Sequence, residues 1–348
     1  MDFRAIDRMI EEAIEKGACP SACVAIGRGN KVYHTVCRGV THMENGLPVN
    51  EDTLYDMASL SKVMGPTMVL LQAIEQGKIT LEDTLCDYFE NVPDDKKNIT
   101  IRRLMTHTAA LNPSIPLYER CKEPEEAVRV ILDAPLEGEI GKAPRYSCMS
   151  YVLLAGILEK AYGKKLDVLC KEMVFDKLGM EHTCYCPEFC ENTAATEVDK
   201  ETGKAWQGIV HDENARFLRG VSGNAGVFST LKDCEKFAMM LAQMGKGLVS
   251  KAMMEKAIRN YTPGYDANRG LGFHLAGLEG CYFGDVFPDE SFGHTGFTGT
   301  SMAVCPHTGI FVVILTNRVH PTRESSGLFR VRRALHNLAY TIMSEENA

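Results

Sequence analysis

Thr300-Ser301-Met302-Ala303-Val304-Cys305, then Pro306-His307-Thr308-Gly309, then Ile310-Phe311-Val312-Val313-Ile314-Leu315-Thr316, is the stretch that decides how the chain folds. Two β-rich runs flank a turn that holds Pro and Gly, which predicts a β-hairpin near the C-terminal end. A matching pair stands at the other end. Residues 22–26 and 32–37 are β-rich and are separated by a turn around Gly29-Asn30. Outside each hairpin lies a helical pattern. Phe3, Ile6, Ile10, Ala13 and Ile14 form one stripe, with Gly17 as its stop, and Leu328, Val331, Leu335, Leu338 and Ile342 form another, from about Glu324 to Met343.

Between the hairpins most periodic segments read as helices: residues 62–75, 101–106, 124–132, 150–161 and 231–244. Longer Gly- and polar-rich connections separate them, notably residues 181–224, and no internal repeat is present. The expected fold is α/β (α+β): one antiparallel sheet built from both chain ends and flanked by helices, with a mainly helical subdomain inserted. Residues 1–60 and 245–348 would form the sheet domain and residues 61–244 the insert, with a ligand cleft where they meet.

Composition narrows the partners. With 38 Lys+Arg against 46 Asp+Glu in 348 residues, the net charge of −8 argues against nucleic acid, whose phosphates call for clustered cations. A second macromolecule is not called for, and the oligomeric state is left open. The longest apolar runs fall far short of the ~20 residues of a membrane span. The N-terminal residues alternate charged and apolar types, unlike a signal peptide. Thirteen cysteines, an odd number, point to free thiols in a reducing cytoplasm.

Three stretches carry chemistry. Met57-Ala58-Ser59-Leu60-Ser61-Lys62 places Ser59 and Lys62 three apart at the start of a predicted helix, on one face. A serine hydroxyl becomes a nucleophile when a neighbour takes its proton, and an amine one turn away can do so. Alone, the pair reads as an N-cap serine with a solvated lysine. The second stretch is Pro144-Arg145-Tyr146-Ser147-Cys148-Met149-Ser150, just ahead of a helix. The third is Gly293-His294-Thr295-Gly296-Phe297-Thr298-Gly299-Thr300, immediately before a C-terminal strand.

In order and spacing these three resemble the active-site motifs of the serine β-lactamase and penicillin-binding-protein superfamily, nearest its class C branch of D-aminopeptidases, D,D-peptidases, muropeptide amidases and β-lactamase-like esterases. Leu81-Glu82-Asp83, Ile99-Thr100-Ile101-Arg102-Arg103-Leu104-Met105-Thr106-His107-Thr108 and Gly223-Asn224-Ala225-Gly226-Val227-Phe228-Ser229-Thr230, followed by Asp233, are similar to its connecting signatures. The likeness covers residues 20–340.

The resemblance implies that Ser59 is the acylated nucleophile and that Lys62 lies between Ser59 and the base. It implies that Tyr146 acts as base and later as acid, and that His294 stands where β-lactamases carry a lysine. The N–H groups of Ser59 and Phe297 would form the oxyanion hole, while Cys148, Thr295, Gly296, Asn224 and Ala225 would meet the substrate. Either a phenolate at Tyr146 or a neutral Lys62 satisfies the need for a base, since each requires a pKa shift of roughly three units. No cofactor is implied. The substrate would be a small molecule or peptide: a peptide, a muropeptide-like amide or an ester. A plain carboxylesterase and a catalytically weak binding protein on the same fold are the alternatives.

Two positions depart from the family pattern. Cys148 replaces an asparagine that donates to the substrate's amide carbonyl, and a thiol is a poor donor. His294 replaces a cation that helps to hold a β-lactam carboxylate. Penicillin hydrolysis is therefore not expected as the main activity. His107-Thr108-Ala109-Ala110-Leu111 has Ala110 where the family carries glycine, a change expected to alter only a turn.

Two clusters stand apart. His182, Cys184, Cys186 and Cys190 offer zinc-ligand chemistry without a standard zinc spacing, so reduced cysteines in a long connection are the reading preferred and no metal is assigned. His211-Asp212-Glu213-Asn214 reads as a polar cluster that orders a loop near the cleft, and Trp206 as a residue at its edge.

Overall fold

The structure, a computed structural model, describes residues 1–345. Among the described residues nine strands make two sheets. The larger has the order β2-β1-β9-β8-β7-β6, with β1 Ser21–Arg28, β2 Lys31–Gly39, β6 His274–Leu275, β7 Phe292–Thr295, β8 Ser301–Val304 and β9 Ile310–Thr316. Every neighbouring pair in it is antiparallel. The N- and C-terminal hairpins join through β1 and β9, with Ala22 opposite Thr316 and Arg28 opposite Ile310. This is the antiparallel sheet built from both chain ends.

Both faces of its centre are covered, so β1 reads as a continuous apolar run rather than an alternating one. Val24 and Ile26 point to one core with Ile6 and Ile10 of the first helix, Arg4–Glu15, and Leu335 and Ala339 of the last, Leu328–Ser344. Cys23 and Ala25 point to the opposite core, where the helix Leu231–Ala242 packs across β1 and β9.

The last helix starts at Leu328 and not at Glu324. Arg318 Nη1 donates to the carbonyls of Arg323 (3.1 Å) and Ser325 (2.7 Å), which holds that segment outside the helix. The predicted helix over residues 62–75 is regular only from Met68 to Glu75. It is preceded by a wider π-type turn, Val63–Thr67, that contains Pro66. Proline has no N–H for the helical ladder, so the turn opens around it.

The second sheet lay below the reach of sequence periodicity. Its strands are β3 Tyr55–Asp56, β4 Cys184–Tyr185 and β5 Val227–Ser229, in the order β3-β5-β4. β3 enters the Ser59 turn and β5 leaves Asn224-Ala225, and Met57 N–H donates to the Val227 carbonyl (2.9 Å). These few residues bring two segments far apart in sequence side by side.

Candidate active site

Ser59 sits in a tight turn, Ala58–Leu60, whose entry is strained: Ala58 has φ +45°. An L-residue with a Cβ adopts that region at a cost of about 1–2 kcal/mol. Asp56 holds the turn. Its carboxylate, almost wholly buried, accepts from Ala58 N–H (2.8 Å) and from His211 N–H (2.7 Å). Burial raises the Asp56 pKa, and those two N–H donors pull it back.

Lys62 follows one turn later and is fully buried. Its Nζ donates to Ser59 Oγ (3.0 Å), to the Asn224 carbonyl (2.7 Å) and to Cys148 Sγ (3.6 Å). It also stands 5.1 Å from the centre of the Tyr146 ring. Burial presses the Lys62 pKa down, but Cys148, Tyr146 and Asp212 together outweigh it, so the pKa is raised and the ammonium is the resting form.

Tyr146 lies outside regular structure, just ahead of the helix Cys148–Tyr162, whose N-cap is Ser147. Burial raises the Tyr146 pKa, while Lys62 draws it back. No partner meets the phenolic oxygen at hydrogen-bonding geometry. The segment is pinned by His107. Its carbonyl accepts from Arg145 N–H (2.7 Å), and its Nδ1 accepts from Ser147 N–H (3.2 Å). That bond assigns the remaining ring proton to Nε2. The ring centres of His107 and Tyr146 are 4.5 Å apart.

His294 lies on β7, and the stretch it belongs to runs directly into β8. Its Nδ1 donates to the Thr295 carbonyl (2.8 Å), which leaves Nε2 as a buried acceptor without a partner. Burial, with Lys62 nearby, lowers its pKa to about 3, so the ring is neutral. After it the chain turns back through Gly296, Phe297 and Thr298. Thr298 Oγ1 donates to the Asp56 carbonyl (2.7 Å) and Thr300 Oγ1 to the Met57 carbonyl (3.1 Å), so the Phe297 turn is stitched to the strand that enters Ser59.

Thus Ser59, Lys62, Tyr146, Cys148 and His294 surround one point, with the Phe297 turn beside it. Asn224 reaches the group through its carbonyl, its side chain being fully buried. Ala225 is buried too, packed with Val210, Ala215 and Phe228. Three residues were not singled out from the sequence. His274, on β6, lies 4.0 Å from His294, centre to centre, with the two rings tilted by 37°. Arg269 places its guanidinium 5.6 Å from the centre of the Tyr146 ring, mostly buried and without an ion-pair partner among the described residues. His107 was seen only as part of a connecting signature. None of the three lies at a telling spacing from Ser59.

The weaker clusters resolve into local contacts. Among the described residues no group of three or more His, Cys, Asp or Glu side chains is arranged to hold a metal ion. Cys184 lies in β4, and Cys186 Sγ donates to the Arg219 carbonyl (3.2 Å). His211 bonds Glu197 (3.1 Å) and faces the Phe297 ring, and Asn214 bonds the backbone of Leu117 and Ile115. Trp206 lies under the Arg216 guanidinium (4.4 Å).

The beta-lactamase family model matches residues 6–336. The chain belongs to the beta-lactamase family. Within that family it is similar to a protein of Escherichia coli K12 named "Putative D-alanyl-D-alanine carboxypeptidase", 27% identical over 90% of this chain and 82% of the relative. It is also similar to an N-acetylmuramyl-L-alanine amidase of Bacillus subtilis, 26% identical over 91% of this chain and 81% of that protein. In structure it matches EstCE1, described as a hydrolase with promiscuous acyltransferase activity, with a TM-score of 0.79 and 22% identity over 96% of this chain and 98% of that one. That likeness is one of fold. Family and relatives together make this beta-lactamase-family protein a serine hydrolase. Among the described residues no helix is long and apolar enough to cross a membrane.

Proposed function

We propose that this hydrolase cleaves the amide bond of a small peptide or muropeptide-like substrate that carries a carboxylate, through an acyl-enzyme on Ser59. The observation that carries the reading is Lys62 Nζ, held 3.0 Å from Ser59 Oγ and 2.7 Å from the Asn224 carbonyl. Arg269 supports the substrate class. It is a mostly buried guanidinium without an ion-pair partner beside Tyr146, and a carboxylate can pair with it in two hydrogen bonds.

In this reading the Tyr146–Lys62 pair acts after losing one proton to solvent, as the Lys62 ammonium beside the Tyr146 phenolate that it favours, and Ser59 Oγ attacks the carbonyl carbon as its proton passes to that pair. The N–H groups of Ser59 and Phe297 hold the oxyanion, and the pair returns the proton to the leaving amine. Water then attacks the ester on Ser59 with the same pair as base, releasing the acid. The two groups titrate as one unit, so the base is the pair rather than either member. His294 stays neutral, which leaves its Nε2 free to accept a hydrogen bond from the substrate. Thr295, Gly296 and Cys148 line the substrate's path. In this reading the cleft lies where the two parts read from the sequence meet, residues 1–60 with 245–348 and residues 61–244. Cytoplasmic residence and the absence of a nucleic-acid partner remain part of this reading, resting on the cysteines and the charge.

The test is covalent labelling and turnover. A fluorophosphonate should label the protein, Ser59→Ala should abolish the label, and Tyr146→Phe should cost roughly 10²-fold or more in turnover. Peptides ending in a free carboxylate should be cleaved faster than their amidated forms, and Arg269→Met should erase that difference. Labelling that persists in Ser59→Ala sinks the nucleophile assignment. Turnover of p-nitrophenyl esters with no cleavage of any amide would make the protein a plain carboxylesterase instead.

A further inference from the structure

We propose that Cys23 and Cys37 are an oxidative modification site, closing a cross-strand disulfide when a small-molecule disulfide of the glutathione class reaches the outer edge of the large sheet. The hairpin sets the pair. Cys23 on β1 and Cys37 on β2 are direct partners in the antiparallel register, so their side chains leave the same face side by side. No other register pair of the described strands joins two cysteines.

The geometry suits the bond. Directly opposed residues in an antiparallel pair have Cα atoms about 4.5–5.5 Å apart. A disulfide spans Cα separations of about 4.4–6.8 Å. Bridging therefore needs side-chain rotation rather than strand movement, and the two thiols already act on one another. Their exposures differ. Cys23 is fully buried in a central strand, whereas Cys37 is partly exposed on β2, the edge strand of the sheet.

That difference orders the chemistry. The Cys37 thiol attacks the small disulfide, forming a mixed disulfide and releasing one small thiol. Cys23 then attacks the Cys37 sulfur, closing the protein disulfide and releasing the second small thiol. The protein loses two hydrogens and the reagent is reduced to two thiols. Burial raises the Cys23 thiol pKa, which makes the second step the slow one. Cys23 Sγ now donates to the Asn50 carbonyl (3.5 Å) and lies 3.6 Å from Tyr55 Oη, which is itself 2.9 Å from Ser21 Oγ. The bond would withdraw Cys23 from a contact with β3, the strand that leads into Ser59.

The experiment treats the folded full-length protein with oxidised glutathione, quenches with N-ethylmaleimide, and follows intact mass and peptide maps. The expected course is a glutathione adduct on Cys37 that converts to a species lighter by two hydrogens. Its bridge maps to Cys23 and Cys37, and dithiothreitol reverses it. Cys37→Ser should abolish both species, and Cys23→Ala should halt at the adduct. Bridged product in either variant, a wild-type protein that halts at the adduct, or a bridge mapped to other cysteines overturns the proposal. None of these readouts depends on Ser59 chemistry.

Discussion

Gly296 lies so close to Met57 that a Cβ placed on it would stand 2.4 Å from the Met57 carbonyl oxygen and 2.1 Å from Thr300 Oγ1. Met57 is two residues before Ser59 and Gly296 is one before Phe297, so this backbone contact aligns the two N–H groups assigned to the oxyanion. No side chain fits there without moving the turn. Gly296→Ala should lower kcat by about 10²–10³-fold, the scale of losing one oxyanion donor, while far-ultraviolet circular dichroism stays native. Activity within threefold of wild type would separate the Phe297 turn from the chemistry.

The strained entry to the nucleophile makes a second prediction. Ala58, at φ +45°, is followed directly by Ser59, and a glycine there adopts the same conformation without a Cβ clash. Ala58→Gly should raise unfolding stability by about 1 kcal/mol. It should also lower kcat, because the freed turn no longer fixes Ser59 against Lys62. A urea midpoint that falls, or a rate that rises, would show that the turn stores no strain used in catalysis.

How far the sequence foretold this site depends on where each residue's position is decided. Ser59 and Lys62 meet because they are three apart in one turn, so local spacing sufficed. Tyr146 and His294 were reached only through resemblance, since nothing in their own segments aims them at Ser59. Arg269 and His274 could not be reached at all. Their place follows from β6, a two-residue strand paired to β7, and a run that short has no readable period. Ala110 is a further case. Its φ of +56° puts a residue with a Cβ in the left-handed region that favours glycine, so the strain of that turn is visible only in the structure. The two terminal hairpins were legible because each pairs neighbouring segments. The β3-β5-β4 sheet, made of fragments 40 or more residues apart, was not.

Buried neutral histidines make the fold sensitive to acid. His107 and His274 titrate well below the usual range, His294 near 3 and His336 near 4, in each case chiefly because burial disfavours the charged ring. In the unfolded chain they protonate near 6.5. The unfolded state therefore binds more protons as pH falls below that value. Stability is full above about 6.5 and is lost as pH drops toward the folded pKa values. Asp56 and Glu235, whose pKa values burial raises, act in the opposite sense, so the cleaner measurement is a difference. His336 donates from Nδ1 to the Tyr282 carbonyl (2.8 Å), outside the proposed active site, and His336→Asn can keep that bond without a titrating ring. The urea midpoint of His336→Asn should fall less between pH 7 and pH 5 than that of wild type. Parallel curves would remove His336 from the acid response.

Cys148 gives the last prediction, because the resemblance of its segment to the family's second motif implies a carboxamide at that position. Its sulfur accepts from Lys62 Nζ at 3.6 Å and offers the substrate only a weak S–H. In Cys148→Asn the carboxamide oxygen can take over the bond from Lys62, and its NH₂ becomes free to donate to a second carbonyl on the substrate. One such hydrogen bond contributes about 0.5–1.5 kcal/mol, so kcat/KM for a peptide should rise up to about tenfold. Acylation by a penicillin, which presents the same amide, should rise alongside it. A p-nitrophenyl ester has no second carbonyl, and its turnover should stay level. An equal change for peptide and ester would mean that residue 148 acts through Lys62 alone and contributes nothing to substrate selection.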